Sequence, residues 1–245
     1  MRLTFLGTRA NLDVAKRGHR RHSAAMIHRD GRRLMIDCGA DWRDRLRDLA
    51  PDAIVLTHAH PDHAFGLKGG APCPVHATAT TLDLIADFDL DETHEIAERE
   101  PTSIAGVTVE AFGVEHSIRC PAVGLRIGAP GGDVLYVPDV VYIHQREAAL
   151  GDLALYVGDG ATLERSFVRK TDDRLVGHAP VRRQLTWCAD AGIPRALFTH
   201  CGRDVVAEDG RKAAGRLRRF ANERGVEARF ARDGMEVDLD EGGGG

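Results

Sequence analysis

The chain has 245 residues, 43% of them hydrophobic, so it can bury a core of ordinary size and is most simply a single domain. Lys and Arg (33) nearly balance Asp and Glu (37), and the net charge of −4 excludes a global attraction to nucleic acid or anionic lipid. No window approaches the roughly 18 apolar residues of a membrane span, and no apolar signal core opens the chain. We therefore expect a cytoplasmic protein without membrane contact.

Cysteine and histidine are used differently. The five cysteines are odd in number and scattered without a Cys-x-x-Cys pair, which argues against a disulfide framework or a thiolate zinc site and favours buried filler. The twelve histidines exceed what packing needs, and several stand beside Asp or Gly in turn-like contexts. The histidines are the first indication of function.

The first third of the chain predicts antiparallel strands followed by short helices. Asp30-Gly31 is a strong hairpin signal between two apolar runs, and the run AIVL (53–56) predicts another strand. Residues 41–50 show helical spacing and are closed by Pro51, and residues 76–88 predict a second, shorter helix.

From Gly106 onward the strand pattern returns, at 106–116, 122–139 and 153–160. A helix at 179–192, a strand at 195–200 and a basic helix at about 211–224 follow. Two groups of strands with helices between and after them predict an α+β fold of two sheets packed face to face and covered by helices. We expect one domain over 1–240 and a flexible Gly tail at 241–245.

The segment THAHPDH, Thr57 to His63, carries the chemistry. Its histidines and aspartate follow a strand-like run, from which they can be aimed into one cleft. Imidazole and carboxylate groups are ligands for Zn, Mn or Fe, and a catalytic site keeps a position open for water. A histidine-rich surface turn is the alternative, but ligand-type residues also end three later strand-like runs. The residues of the combined pattern are His58, His60, Asp62, His63, His116, Asp139 and His200.

This pattern resembles the metallo-β-lactamase superfamily over almost the whole chain, from TFLGT and MIDCG to FTHCG. The resemblance implies a four-layer αββα sandwich with two divalent metal ions at one edge, Zn or Mn, with Fe as a third candidate. It implies that one metal is held by His58, His60 and His116, the other by Asp62, His63 and His200, with Asp139 bridging them.

The resemblance also implies roles beyond metal binding. Two metals can share a hydroxide that acts as the nucleophile, and Asp62 would orient it. Asp37 in MIDCG either supports the ligands from behind or simply forms a turn before Gly39, and both interpretations stay open. Asp139 stands where the best-known zinc β-lactamases have cysteine, which counts against that activity. Cys201 is interpreted as packing.

The segment GHAP, Gly177 to Pro180, resembles the phosphodiesterase branch, which includes tRNA 3′-processing endonucleases and phosphoribosyl cyclic phosphodiesterases. His178 is the candidate that protonates the leaving alkoxide, and Asp159 could orient it. A histidine that caps the following helix is the alternative. Residues 117–138 and 140–177 are too short for the arm or extra domain of the nucleases, and no Cys precedes Cys38 to build the structural zinc site of the cyclic phosphodiesterases.

The sequence therefore predicts a binuclear metal-dependent phosphodiesterase acting on a small cyclic or nucleotide-like diester. The alternatives are a tRNA 3′-processing-type endonuclease, a thioester or lactone hydrolase of the same fold, and a metal-binding module without turnover. RNA is the less favoured partner, and a homodimer is one candidate assembly, because dimers are common among such folds. The basic loop Lys16 to His22 either meets substrate phosphate or is solvated, and the arginines of the last helix favour a solvated face.

Overall fold

In the computed structural model, which describes residues 1–207 and 210–240, the strands form two large sheets and one small hairpin. The predicted Gly tail, 241–245, lies outside the described residues. The first sheet contains, in spatial order, β17 (Glu236–Asp238), β1 (Arg2–Gly7), β2 (Ala24–Arg29), β3 (Arg32–Ile36), β4 (Ala53–Val55), β5 (Val75–Ala77) and β6 (Thr93–Glu95). Its first part is antiparallel, as predicted, and β3 to β6 are parallel.

The second sheet is built from the middle and the end of the chain. It contains, in spatial order, β11 (Tyr142–Ile143), β8 (Val107–Glu115), β9 (Ala122–Ile127), β10 (Asp133–Tyr136), β12 (Leu153–Asp159), β15 (Arg195–Thr199) and β16 (Glu227–Phe230). Strand β7 (Thr102–Ile104) pairs with β8, and β13 (Arg169–Thr171) and β14 (Arg174–Val176) form the separate hairpin.

Helices cover the outer faces of both sheets. They are α1 (Leu46–Leu49), α2 (Pro61–Ala64), α3 (Ala79–Leu84), α4 (Arg146–Leu150), α5 (Val181–Asp190), α6 (Arg203–Val206) and α7 (Gly210–Asn222), with 3₁₀ turns at Ala40–Arg45 and Phe65–Leu67. No helix in the described part of the chain is long and apolar enough to cross a membrane.

Side-chain alternation along the strands separates the layers. In β12, Leu155 and Val157 pack between the two sheets, whereas Tyr156 faces the helices behind the second sheet. Trp42 and Leu46 pack on the outer face of the first sheet. The predicted helix–sheet–sheet–helix layering of an α+β fold is therefore confirmed.

Two local predictions are confirmed only in part. Residues 41–50 form a 3₁₀ turn and a single α-turn, which ends where Ala50 adopts a left-handed conformation. Residues 76–88 hold a short helix only at Ala79–Leu84, because Val75–Ala77 pairs as β5 beside β4. Tertiary strand pairing overrides the local helical pattern there.

The direction of the strands creates one shared edge. Strands β8, β10, β12 and β15 run the same way in the second sheet, so their carboxyl ends lie on one side. His116 directly follows β8, Asp139 follows β10, Asp159 ends β12 and His200 directly follows β15. The sheet therefore carries these four side chains to a common edge.

Candidate metal centre

Three imidazole nitrogens converge at the mouth between the sheets. His60 Nδ1 lies 2.9 Å from His58 Nε2 and 3.2 Å from His116 Nε2. Nitrogen ligands at the usual Zn–N distance in a tetrahedral site lie about 3.3 Å from one another, so this spacing fits one metal ion. We call these three residues the imidazole group.

The backs of these rings are fixed by hydrogen bonds. The Thr57 hydroxyl donates to Asp37, so the His58 Nδ1–H donates to Thr57 Oγ1 at 3.0 Å and leaves His58 Nε2 free. His116 Nδ1 donates to the Gly177 carbonyl oxygen at 3.0 Å, which frees its Nε2 in the same way. The tautomers are thereby set with the free nitrogens pointing into the centre.

A second set combines a carboxylate with two imidazoles. Asp62 Oδ2 lies 3.2 Å from His200 Nε2 and 3.5 Å from His63 Nε2, and all three side chains are buried. Pro61 at the first position of α2 starts the turn that presents Asp62 and His63, and Gly39 leaves room for the Asp62 backbone. We call these three residues the mixed group.

Asp139 lies between the two groups. Its Oδ1 is 3.5 Å from His116 Nε2, and its Oδ2 is 2.9 Å from His63 Nε2. Asp139 Oδ2 and His63 Nε2 are close but not aligned for a hydrogen bond, and neither these two buried atoms nor the buried His200 Nδ1 has a hydrogen-bond partner among the described residues. Buried polar atoms without partners are costly, and a cation held between the rings and the carboxylate would satisfy them. The donor set therefore fits divalent metal.

Asp37 supports the mixed group from behind. It is fully buried, accepts from the Thr57 backbone N–H at 2.8 Å and accepts from His63 Nδ1 at 2.8 Å. Its backbone φ is +59°, as in a turn. The sequence left open whether Asp37 forms a turn or supports the candidate ligands. In the structure it adopts the turn conformation and also contacts the candidate ligand His63. His200 likewise has a φ of +49°, and non-glycine residues in this region are often found at functional sites.

The two groups differ in their protonation. Burial lowers the pKa of His58 and of His116, and burial with neighbouring His116 lowers the pKa of His60 to about 4. Burial also acts to lower the pKa of His63 and His200, but nearby carboxylates outweigh it. The pKa of His63 is held well above its ordinary value, and that of His200 is raised to about 10.

His178 stands beside the candidate ligands without being among their closest contacts. Its Nδ1 donates to Asp159 Oδ2 at 2.8 Å, and its ring centroid is 5.0 Å from His116 and 5.6 Å from His200. Burial opposes protonation, but Asp159 raises the pKa of His178 above its ordinary value. Asp139, Asp159, His178 and His200 each offer one potential ligand atom, and these atoms lie within 4.8 Å of one another, so the four residues could also hold a metal ion. Asp159 and His178, however, already form a hydrogen bond with each other.

Sequence reasoning missed Gln184, which fixes the Asp159 backbone. Its Nε2 donates to the carbonyl oxygens of Asp159 and Ala179, both at 2.8 Å, and its Oε1 accepts from the Asp159 N–H and the Tyr156 hydroxyl at 2.9 Å. The sequence signal that could have identified Gln184 is its position, as a polar residue beside Leu185, on the apolar face of the helix predicted at 179–192. Cys201 is buried, as predicted for packing, whereas Cys73 and Cys120 are only partly buried.

Five of the seven predicted ligands line one cavity of about 450 Å³ together with His178; they are His60, Asp62, His116, Asp139 and His200. The other two, His58 and His63, are fully buried and contact these residues. Away from these residues the cavity wall consists mainly of small or apolar residues. The wall contains Ala10, Asn11, Leu12, Pro61, Ala161, Phe167, Gly202, Arg203 and Asp204. That the seven residues bind metal stays a prediction, which this geometry supports.

Comparisons with known proteins agree with this architecture. Ribonuclease Z of Methanopyrus kandleri is 25% identical over an alignment covering 96% of each chain. The protein spans about half the length of other curated relatives, such as the ribonuclease Z of Bradyrhizobium diazoefficiens, which is 31% identical over 46% of each chain.

Solved structures share the fold. The metallo-β-lactamase fold protein YhfI from Bacillus subtilis has a TM-score of 0.74 at 17% identity, covering 96% of this chain and 98% of that one. A diphosphatase from the PhnP family has a TM-score of 0.72 at 20% identity, covering 97% of each chain. Residues 32–201 match the family model of the beta-lactamase superfamily domain. The protein belongs to the beta-lactamase superfamily, and the predicted family and fold are confirmed.

Proposed function

We propose that the protein is a metal-dependent phosphodiesterase that acts on a small cyclic or nucleotide-like diester. The observation that supports this most is the His178–Asp159 pair, in which Asp159 raises the pKa of an imidazole that lines the cavity beside the candidate ligands. The relatives named ribonuclease Z and the PhnP-family diphosphatase support hydrolysis of phosphate esters as the class of reaction. The cavity volume of about 450 Å³ suits a small ligand.

The imidazole group, the mixed group and Asp139 would hold two divalent ions, with Zn, Mn and Fe all compatible with these donors. When bound, such ions neutralise phosphate oxygens and lower the pKa of water. Asp62 Oδ2, at the edge of the cavity, would accept a hydrogen bond from the attacking water and orient it. As the P–O bond breaks, His178 would donate its proton to the leaving alkoxide, and Asp159 would stabilise the charged ring beforehand.

The test replaces His178 with Ala and measures turnover in metal-reconstituted protein. We expect a loss of about 10²- to 10⁴-fold with a 2′,3′-cyclic nucleotide, whose alkoxide leaving group needs the proton. The loss should be much smaller with bis(4-nitrophenyl) phosphate, whose leaving group is stable as an anion. Metal content should not change, and His94→Ala, an exposed histidine on β6, is the matched control.

Equal losses on both phosphodiesters would remove His178 from the proton-transfer role. A panel that adds a thioester and a lactone tests the reaction class itself. Hydrolysis of the thioester or lactone alone would overturn the phosphodiesterase proposal, and no turnover in fully metal-loaded protein would favour the metal-binding module.

A second candidate, RNA processing of the ribonuclease Z type, is supported by the near-complete alignment with the Methanopyrus protein and by an arginine-lined cavity. This cavity measures about 420 Å³, and its wall includes Pro180, two residues after His178. Two of its guanidinium groups lie over Trp187, at 5.4 and 5.8 Å from the ring centroid. Its arginines are Arg146, Arg182, Arg183 and Arg224.

Cleavage of a precursor tRNA separates the two candidates. If RNA is the substrate, the Arg182→Gln, Arg183→Gln double variant should bind RNA more weakly and lower the salt slope of binding by about 1 for each lost phosphate contact. The matched control is the Arg43→Gln, Arg47→Gln double variant, which removes the same charge beside a different cavity. Arg43 and Arg47 lie in the helical segments that pack on the first sheet. If the two double variants bind RNA with the same affinity and the same salt slope, the arginine-lined cavity does not contact RNA, and the small diester remains the proposed substrate.

A further inference from the structure

Phe167 is exposed where a large apolar side chain is ordinarily buried. Its exposed fraction is 51%, the largest among the exposed large hydrophobic residues of the described chain. The same side chain lines the cavity that contains His178 and the candidate metal ligands. A strongly exposed aromatic residue inside a binding cavity is the kind of exception that indicates a ligand contact.

The backbone of Phe167 is anchored against the segment that carries His178. Gly177 has a φ of +115°, and a Cβ at this position would overlap the carbonyl oxygen of Phe167. Gly177 also donates its N–H to the His116 carbonyl oxygen at 2.8 Å and accepts from His116 Nδ1 at 3.0 Å. Phe167 is therefore placed relative to the metal centre by direct backbone packing, although it lies at the start of an exposed hairpin.

About half of Phe167 is left uncovered by the protein. Among the described residues, no aromatic ring or cationic side chain packs against it, whereas His178 in the same cavity contacts two other rings. The neighbouring wall is formed by small or aliphatic residues, including Ala10, Leu12 and Ala161. A flat apolar ring of the ligand is the group that best fits this uncovered face.

We propose that Phe167 is a stacking platform that selects phosphate esters carrying a nucleobase. The inference rests on the proposed function and specifies its substrate class, because the phosphate would lie at the metal centre while the base stacks on Phe167. Alanine substitution of base-stacking aromatic residues weakens binding by about 5- to 150-fold, so an effect of this size is expected. Phe167 would be a specificity residue, since it contacts the base and not the reacting atoms.

The experiment measures binding of two ligands to zinc-loaded protein by calorimetry. Thymidine 5′-monophosphate and 2-deoxyribose 5-phosphate carry the same phosphate and differ by the base. We expect the wild-type protein to bind the nucleotide more tightly, and Phe167→Ala to weaken nucleotide binding by about 5- to 150-fold while changing sugar phosphate binding less than about twofold. Phe167→Trp should restore the preference, because it retains a stacking ring.

Tyr142→Ala is the matched control, because Tyr142 is also an exposed aromatic residue, 38% accessible, and does not line this cavity. Equal wild-type affinity for the two ligands, no measurable binding of either, or equal weakening of both in Phe167→Ala would overturn the inference. A Tyr142→Ala variant that matches Phe167→Ala would overturn it as well.

These outcomes are separate from those of the proposed function, because binding needs no turnover. Hydrolysis of phosphodiesters without a preference for the base would support the proposed function and contradict the role of Phe167. Binding of the nucleotide through Phe167 without hydrolysis of any phosphodiester would support the stacking role and contradict the proposed function.

Discussion

The imidazole group and the mixed group stand side by side in one centre but are built on different electrostatics. For His58, His60 and His116, burial is the largest cause that holds the pKa low, and other histidines nearby add to it. His63 and His200 face carboxylates, which hold their pKa values high. We therefore expect the first set to be neutral near pH 7 and able to bind a cation, whereas a metal ion that binds to the second set would have to displace protons.

This difference explains how the metal-free protein can bury so many titratable candidate ligands without leaving their charges unpaired. In the mixed group, protonated imidazoles neutralise the charges of Asp62 and Asp139, whose pKa values are held well below their ordinary value even though burial opposes this. In the imidazole group, neutral rings avoid burying charge. Asp139 contacts both sets, and it is the residue through which a change in one group should reach the other.

The largest effect is expected from Asp139→Asn, because this change removes the carboxylate shared by both groups. Mutation of a supporting residue costs about 10- to 100-fold in metal affinity or activity, and loss of a shared ligand should exceed that range. Mass spectrometry of the metals after gel filtration should show both ions depleted, with phosphodiester turnover reduced more than about 100-fold. Retention of two tightly bound ions would show that Asp139 does not bridge.

A smaller and more selective effect is expected from Asp37→Asn. The amide cannot replace the charge that orients His63 through the 2.8 Å contact to Nδ1. We expect metal in the mixed group to bind about 10- to 100-fold more weakly, with the imidazole group little changed. Chelator competition should then reveal one weak and one tight ion per chain.

Asp83→Asn, an exposed aspartate on α3, makes the same change of charge at a distance and serves as control. Equal weakening of both ions in Asp37→Asn would contradict the separate support of the two groups.

The last expected effect is a dependence of metal affinity on pH that differs between the two groups. Because His200 has a pKa raised to about 10 and that of His63 is also raised, metal entering the mixed group must displace protons. Affinity there should rise by up to about tenfold per pH unit for each proton released between pH 6 and 9. The imidazole group, with the pKa of His60 at about 4, should bind with little pH dependence over that interval.

Calorimetric titration in buffers of different ionisation enthalpy counts the released protons directly. The stability of the metal-free protein should also depend on pH. A raised histidine pKa contributes stability that is complete below about pH 6.5 and is lost as pH rises through the folded-state value. The melting temperature of the metal-free protein should therefore decrease on alkalinisation. If neither the metal affinity nor the melting temperature changes with pH, the proposed electrostatic difference between the two groups is contradicted.

The predictions from sequence succeeded where chemistry is local. The Asp30-Gly31 hairpin forms because both residues adopt positive φ, as the turn requires. Strands β8, β9, β10, β12 and β15 of the second sheet lie within the predicted runs, and a predicted ligand follows β8, β10 and β15. The helices predicted at 41–50 and 76–88 are confirmed only in part, because strand pairing and short turns depend on neighbours that are distant in sequence.

By itself, therefore, the sequence determined the candidate ligands, their positions at strand ends and the candidate acid His178, since these depend on residue chemistry and short-range spacing, and its motifs determined the fold family through their resemblance to known proteins. Only the tertiary structure decided which atoms face one another. His63 meets Asp37 across 26 positions and His200 meets Asp62 across 138, and Phe167 reaches the cavity through its packing on Gly177. Chain folding brings such pairs together through sheet order and backbone contact, and no local pattern encodes either.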